Sequence, residues 1–111
     1  MRGTLEDRQT FFARCRPDSG FKTIYTAKGG EVISYINVAN VNETESEWSA
    51  CVAQGSEKYG KKNALVWAET LSANDNDVWG YGIPLSQGMR IGVRSSSAGA
   101  LNFTIYGVFG N

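Results

Sequence analysis

Histidine is absent from this chain, and its absence removes most of the catalytic arrangements a small domain could hold. Without an imidazole there is no Ser–His or Cys–His dyad. With Cys15 and Cys51 as the only thiols, an ordinary zinc site lacks ligands. A carboxylate pair could still perform acid–base work of the glycosidase type. The acids, however, fall mostly in polar stretches or at outward positions of predicted strands, where solvated charges belong. Asn74, Asp75, Asn76 and Asp77 could offer oxygen atoms to calcium, but they lack EF-hand spacing and the distant bidentate Glu. That run reads as a tight turn held by side-chain-to-backbone bonds. The expectation is a non-enzymatic protein with no metal and no cofactor.

Other residue groups point to binding. Trp79, Tyr81, Tyr59 and Tyr106 could form a platform for sugar rings, or fill a core or a subunit interface. Phe11, Phe12, Arg14 and Arg16 give the N-terminal segment an aromatic and basic character suited to a partner protein. Cys15 lies in that segment, and Cys51 sits at an outward position of a predicted strand. They read as two reduced thiols, or as a bond between arm and sandwich, within one subunit or between two. Asn42-Glu43-Thr44 and Asn102-Phe103-Thr104 match the glycosylation tripeptide. They are discounted, because the second lies inside a predicted strand and the N-terminus lacks the apolar core of a signal peptide.

The elements that must position these residues are strands. Short runs rich in β-branched and aromatic residues recur at intervals of about 8 to 15 residues, separated by turn chemistry. Over 101–109, Leu101, Phe103, Ile105 and Phe109 share one face, and Asn102, Thr104 and Tyr106 the other. Over 89–95, Met89, Ile91 and Val93 point inward, with Arg90 and Arg94 outward. Over 47–53, Trp48, Ala50 and Val52 oppose Glu47, Ser49 and Cys51. Residues 31–39 are apolar on both faces, as in a central strand or one covered by a neighbouring subunit. Further strands are predicted at 21–26, 64–70 and 78–83, with an eighth if 10–14 is extended. Gly29 and Gly30 turn the first hairpin. Residues 55–62 form the longest polar loop, expected to be mobile. The prediction is all-β: a two-sheet antiparallel sandwich, jelly-roll-like, with about eight strands. Residues 1–20 are assigned to an N-terminal arm and 21–111 to the sandwich.

Length and composition agree. The 111 residues suffice for one domain, with 41% hydrophobic and 20% charged residues, enough to form a core without disulfides. A formal net charge of zero carries no electrostatic footprint for nucleic acid and opposes self-association little. No apolar run approaches the length of a membrane span. The expected compartment is the cytoplasm of the cell that makes the protein.

The stretches KTIYTAKGGEVISYINVAN, NALVWAETLSANDND and GIPLSQGMRIGVRSSSAGALNFTIYGVFG, within 22–109, form a sequence of turns and strands. In this order the chain resembles small β-sandwich virion proteins of tailed bacteriophages, either capsid decoration (cement) proteins or tail- and fibre-associated modules. Where that pattern often has Pro-Ala-Gly at the first turn, this chain has Ala27-Lys28-Gly29-Gly30. The resemblance implies a virion location after synthesis in the host bacterial cytoplasm. It implies a capsid decoration subunit that self-associates, preferably as a homotrimer, and binds the major capsid or another virion protein. In this reading the arm makes that contact through Phe11, Phe12, Arg14 and Arg16, with no nucleic-acid or membrane partner. The alternative is a carbohydrate-binding adhesion module at a tail fibre or baseplate.

Overall fold

The structure is a computed structural model that describes residues 10–18, 20–80 and 82–110. Residues 1–9 of the expected arm, Ser19, Tyr81 and Asn111 lie outside the described residues. In chain order the strands are β1 (Thr10–Cys15), β2 (Lys22–Thr26), β3 (Glu31–Asn40), β4 (Ser46–Gln54), β5 (Ala64–Leu71), β6 (Asn76–Trp79), β7 (Ile83–Leu85), β8 (Met89–Ser95) and β9 (Leu101–Phe109). A 3-10 turn, Lys61–Asn63, precedes β5. Among the described residues no helix is long and apolar enough to cross a membrane.

The pairings are antiparallel and nested. β1 pairs with β9, β2 with β8, β3 with β6 and β7, and β4 with β5. Adding β3–β9 and β4–β8 gives one sheet in the order β1-β9-β3-β6, with β7 also on β3, and a second in the order β2-β8-β4-β5. First-with-last nesting is what rolling up one long antiparallel ribbon produces, and it is the jelly-roll order. The expected all-β sandwich is the observed fold. β6 and β7 serve as one strand in two pieces, because β6 pairs with Ile36–Ala39 of β3 and β7 with Glu31–Ile33. The single strand predicted at 78–83 is therefore broken in its middle.

The described part of the expected arm is a strand of the sheet. Thr10 to Cys15 pair with Val108 to Phe103 without a register shift. Its alternation directs Phe11, Ala13 and Cys15 against the core and Phe12 and Arg14 to solvent. Burying Phe11 and satisfying one row of backbone groups on β9 favours this over a free arm.

The core lies between the sheets. Ile33, Ile36 and Val38 of β3 and Leu101, Phe103 and Ile105 of β9 meet Trp48, Ala50, Ile91 and Val93 of the other sheet, all buried. The Trp48 and Phe103 rings meet edge-on with centroids 6.0 Å apart. At one end the sheets are tied by a carboxylate. Glu31, at the start of β3, has no exposed surface. It accepts hydrogen bonds from the Tyr25 hydroxyl on β2 at 2.5 Å and from the N–H groups of Lys28 at 2.8 Å and Gly29 at 2.7 Å. Burial acts to raise its pKa, but these donors outweigh burial and hold the carboxyl below its ordinary value. The Tyr25 hydroxyl, desolvated and bonded to that carboxylate, is pushed up to about 12.

Candidate interaction surface

Each sheet has one face turned away from the core, and the two are treated differently. On the four-stranded sheet, the loop between β4 and β5 folds back over the strands. Tyr59 from this loop covers Gly92 of β8, and its hydroxyl lies 2.6 Å from the Thr23 hydroxyl of β2. The Arg90 guanidinium sits 5.0 Å from the Tyr59 ring and donates to the Glu57 carbonyl. Arg94 lies 5.2 Å from the Phe21 ring and 5.1 Å from that of Trp67. Gly60 and Asn63 exchange bonds that close the loop. The segment expected to be mobile is thus a lid made from the chain itself.

The outer face of the five-stranded sheet has no such cover among the described residues. Phe12, Tyr106 and Tyr35 lie directly opposite one another on β1, β9 and β3. Their centroids are 6.1 Å apart for Phe12–Tyr106 and 4.8 Å for Tyr106–Tyr35. The next row runs Arg14, Thr104, Asn37 and Val78. Phe12 and Val78 are 57% and 55% exposed, and Tyr106 and Tyr35 are 40% and 38% exposed. The outward positions of β3 and β9 carry no charge at all. Arg14, whose guanidinium is 5.2 Å from the Phe12 ring, and Arg16, whose Nε donates to Asn102 Oδ1 at 2.7 Å, stand at the β1 edge. An exposed face of aromatic, aliphatic and amide groups with few charges has the composition of an interface core.

A bulge sets this face. Ile33 pairs with Gly107 and Tyr35 with Tyr106, leaving Ser34 as an extra residue. Strict alternation from Ile33 would have buried Tyr35 and exposed Ile36. With Ser34 inserted, Tyr35 faces out and Ile36 is fully buried. The bulge lies beside the break between β6 and β7, where a Cβ on Gly80 would fall 3.0 Å from the Ser34 carbonyl oxygen. Shallow grooves of about 420 Å³ flank the face, one lined by Arg14, Arg16, Asn102 and Thr104, the other by Asn37, Ala39, Val41 and Asp75.

The residues singled out from sequence are only partly brought together. Phe12, Arg14 and Arg16 gather on the outer face beside Tyr106. Phe11 does not join them; it stacks on Tyr25 at 4.8 Å and leans on Phe109 at 5.4 Å, closing one side of the sandwich. Cys15 and Cys51 are free thiols. Cys15 packs against the core from one sheet and Cys51 lies on the outer side of the other, and no bond joins them. Cys51 faces away from the core as expected, yet the lid buries it completely, and its thiol donates to the Gly60 carbonyl at 3.4 Å. Burial pushes both thiols up from their ordinary pKa, the opposite of activation. The sugar platform disperses, since Trp79 packs toward the core, Tyr59 belongs to the lid, Tyr106 lies on the other face and Tyr81 is outside the described residues. The Asn74–Asp77 run is only half a turn: Asn74 lies in the turn, while Asn76 and Asp77 open β6, with Asp75 Oδ1 accepting from the Asn76 N–H at 2.8 Å and Asp77 Oδ1 from the Val78 N–H at 2.9 Å. Among the described residues no three His, Cys, Asp or Glu side chains group to hold a metal.

Two solved structures are similar to this chain in fold. One is a chain of the acidic stable capsid structure of Helicobacter pylori bacteriophage KHP30, with a TM-score of 0.55 and 12% identity, covering 92% of this chain and 86% of that one. The other is from the structure of infectious bursal disease virus Gx strain, with a TM-score of 0.50 and 12% identity, covering 94% of this chain. This chain spans only 30% of the length of that second protein. No protein family model and no curated protein sequence matches the chain.

Proposed function

We propose that this chain is a non-enzymatic structural subunit of a virus particle, a capsid decoration protein of a bacteriophage. It adds to the shell by burying the outer face of its five-stranded sheet. The observation that carries this reading is the row Phe12–Tyr106–Tyr35 with Val78 beside it, uncovered among the described residues, on a sheet whose opposite number is sealed by its own lid. Jelly-roll topology over nearly the whole chain, shared with a chain of a bacteriophage capsid structure, supports the same reading. In this reading the contact assigned to the arm falls to Phe12 and Arg14 of β1, with Arg16 just beyond its end. Of the aromatic residues assigned to the carbohydrate-binding alternative, the described ones, Trp79, Tyr59 and Tyr106, do not converge on one site.

The test is recovery with particles. Wild-type protein is expected to co-purify with virions of the phage that encodes it and to appear as density on the outside of the shell. Tyr35→Lys/Tyr106→Lys is expected to remain folded and stay in the soluble fraction. Particles that lack the wild-type protein, or that take up the double variant normally, overturn the proposal.

A further inference from the structure

Four edges bound the two sheets, and three are spoiled for pairing. The β6–β7 edge is broken between its two pieces and contains Pro84. β2 carries an extra residue at Ile24. β5 shifts register twice against β4 and holds Ala68 at φ 54. Breaks, prolines and bulges are the devices that keep sheet edges from pairing with foreign strands. β1 has none of them. It keeps one register with β9 throughout and contains no Gly, Pro or Lys.

We propose that β1 pairs antiparallel with β1 of a second copy, across a two-fold axis at Ala13. This rests on the reading above and deepens it by naming an assembly partner. In that register Phe12 faces the partner's Arg14 on the outer surface, and Phe11 faces the partner's Cys15 on the inner one. The cation–aromatic contact across the axis repeats the Arg14–Phe12 contact already present within the chain. A register centred on Arg14 would oppose like charges, and one centred on Phe12 would leave Arg14 opposite Thr10 with no aromatic partner. A net charge of zero leaves little repulsion between copies. Two five-stranded sheets then form one continuous sheet, and the aromatic rows of both copies join into a single face. A two-fold contact takes the place of the trimer implied by the family resemblance.

The full chain carrying Cys15→Ser, Phe12→Cys and Arg14→Cys tests the register. Mild oxidation is expected to convert it to a covalent dimer on a non-reducing gel, whereas Phe12→Cys or Arg14→Cys alone in the same background stays monomeric. Native mass spectrometry should report a wild-type dimer, weakened about tenfold or more by Phe12→Lys, which sets a lysine against the partner's Arg14. Circular dichroism and thermal unfolding confirm that each variant folds. A monomeric wild type, no covalent dimer from the double-cysteine chain, or efficient cross-linking by Phe12→Cys alone overturns the proposal. Tyr35→Lys separates it from the reading it rests on. This variant should still dimerise through β1 while losing its place on the particle, so particle uptake failing as a readout leaves the dimer test intact.

Discussion

The ring of Tyr59 occupies the space that a side chain on residue 92 would need: a Cβ at Gly92 would fall 2.4 Å from Tyr59 Cζ. The glycine and the tyrosine are therefore one device, a flat seat on β8 and the lid residue that fits it. Cys51, directly opposite Gly92 on β4, is sealed beneath the same lid.

Gly92→Ala is expected to expel Tyr59 and to cost about 1–3 kcal/mol, the usual range for overpacking. Its signature is chemical. A thiol reagent that labels Cys51 slowly in the folded wild type should label it rapidly in Gly92→Ala and in Tyr59→Ala, measured in a Cys15→Ser background. Equal labelling rates would show that the lid does not protect the thiol.

Gly107 of β9 makes the corresponding fit on the other sheet, where a Cβ would fall 2.6 Å from Phe11 Cε1 and 2.4 Å from the Val32 carbonyl oxygen. Gly107→Ala should unseat Phe11 and loosen β1. Hydrogen exchange is expected to quicken across 10–15 and hardly change in β4 and β8. Uniform quickening would mean that β1 is not a separable edge.

The Glu31 clasp gives stability an acid limb. A carboxyl held below its ordinary pKa in the folded state contributes fully above its unfolded value, near 4.3, and loses that contribution as pH falls through the folded value. Tyr25 works in the opposite direction: raised to about 12, it contributes below its ordinary value and loses the contribution as pH climbs toward 12. Glu31→Gln should cost about 1–3 kcal/mol at neutral pH, because charged acceptor bonds are lost in a buried site. Its unfolding free energy should also vary less between pH 5 and pH 2, roughly the window set by a carboxylate. An unchanged acid limb would remove Glu31 as its source.

Asn40 joins three segments from one buried position. Its Nδ2 donates to the carbonyls of Thr44 at 2.9 Å and of Leu71 and Ser72 at 3.2 Å, and its Oδ1 accepts from the Asn42 N–H at 3.0 Å. Asn40→Ala removes these bonds from a buried position and should destabilise by about 2–4 kcal/mol in chemical denaturation, more than one exposed hydrogen bond would explain.

Tyr106→Ser removes an outward ring flanked by Phe12 and Tyr35. Cross-strand aromatic pairs of this kind contribute about 0.2–1 kcal/mol each. A thermal unfolding midpoint that falls by many degrees would mean that the row is needed to hold the sheet together rather than held ready for a partner.

Strict period-two segments were legible in the sequence. β9, β8 and most of β4 alternate as read, because in an unbroken strand adjacent side chains must point to opposite faces. The absence of histidine, and with it of any Ser–His or Cys–His dyad, was equally visible in composition. β3 was legible only as apolar on both sides: nothing local marks Ser34 as the extra residue, since the bulge depends on how Gly107 and Tyr106 pair across the ladder. The lid over β8 is not legible in sequence, because Tyr59, the ring that anchors it, is surrounded by charged and glycine residues, and the seat it needs is at Gly92, distant in sequence.

Alternation and turn chemistry alone determined that this chain layers two antiparallel sheets around one core, because each strand's inward residues are spaced by the backbone itself. Tertiary structure decided which outer face is sealed, that the first described segment is an edge strand, that Cys51 is hidden, and that Tyr35 faces solvent. Each of these depends on register and packing between strands far apart in the chain, where a shift of one residue turns a side chain from core to surface.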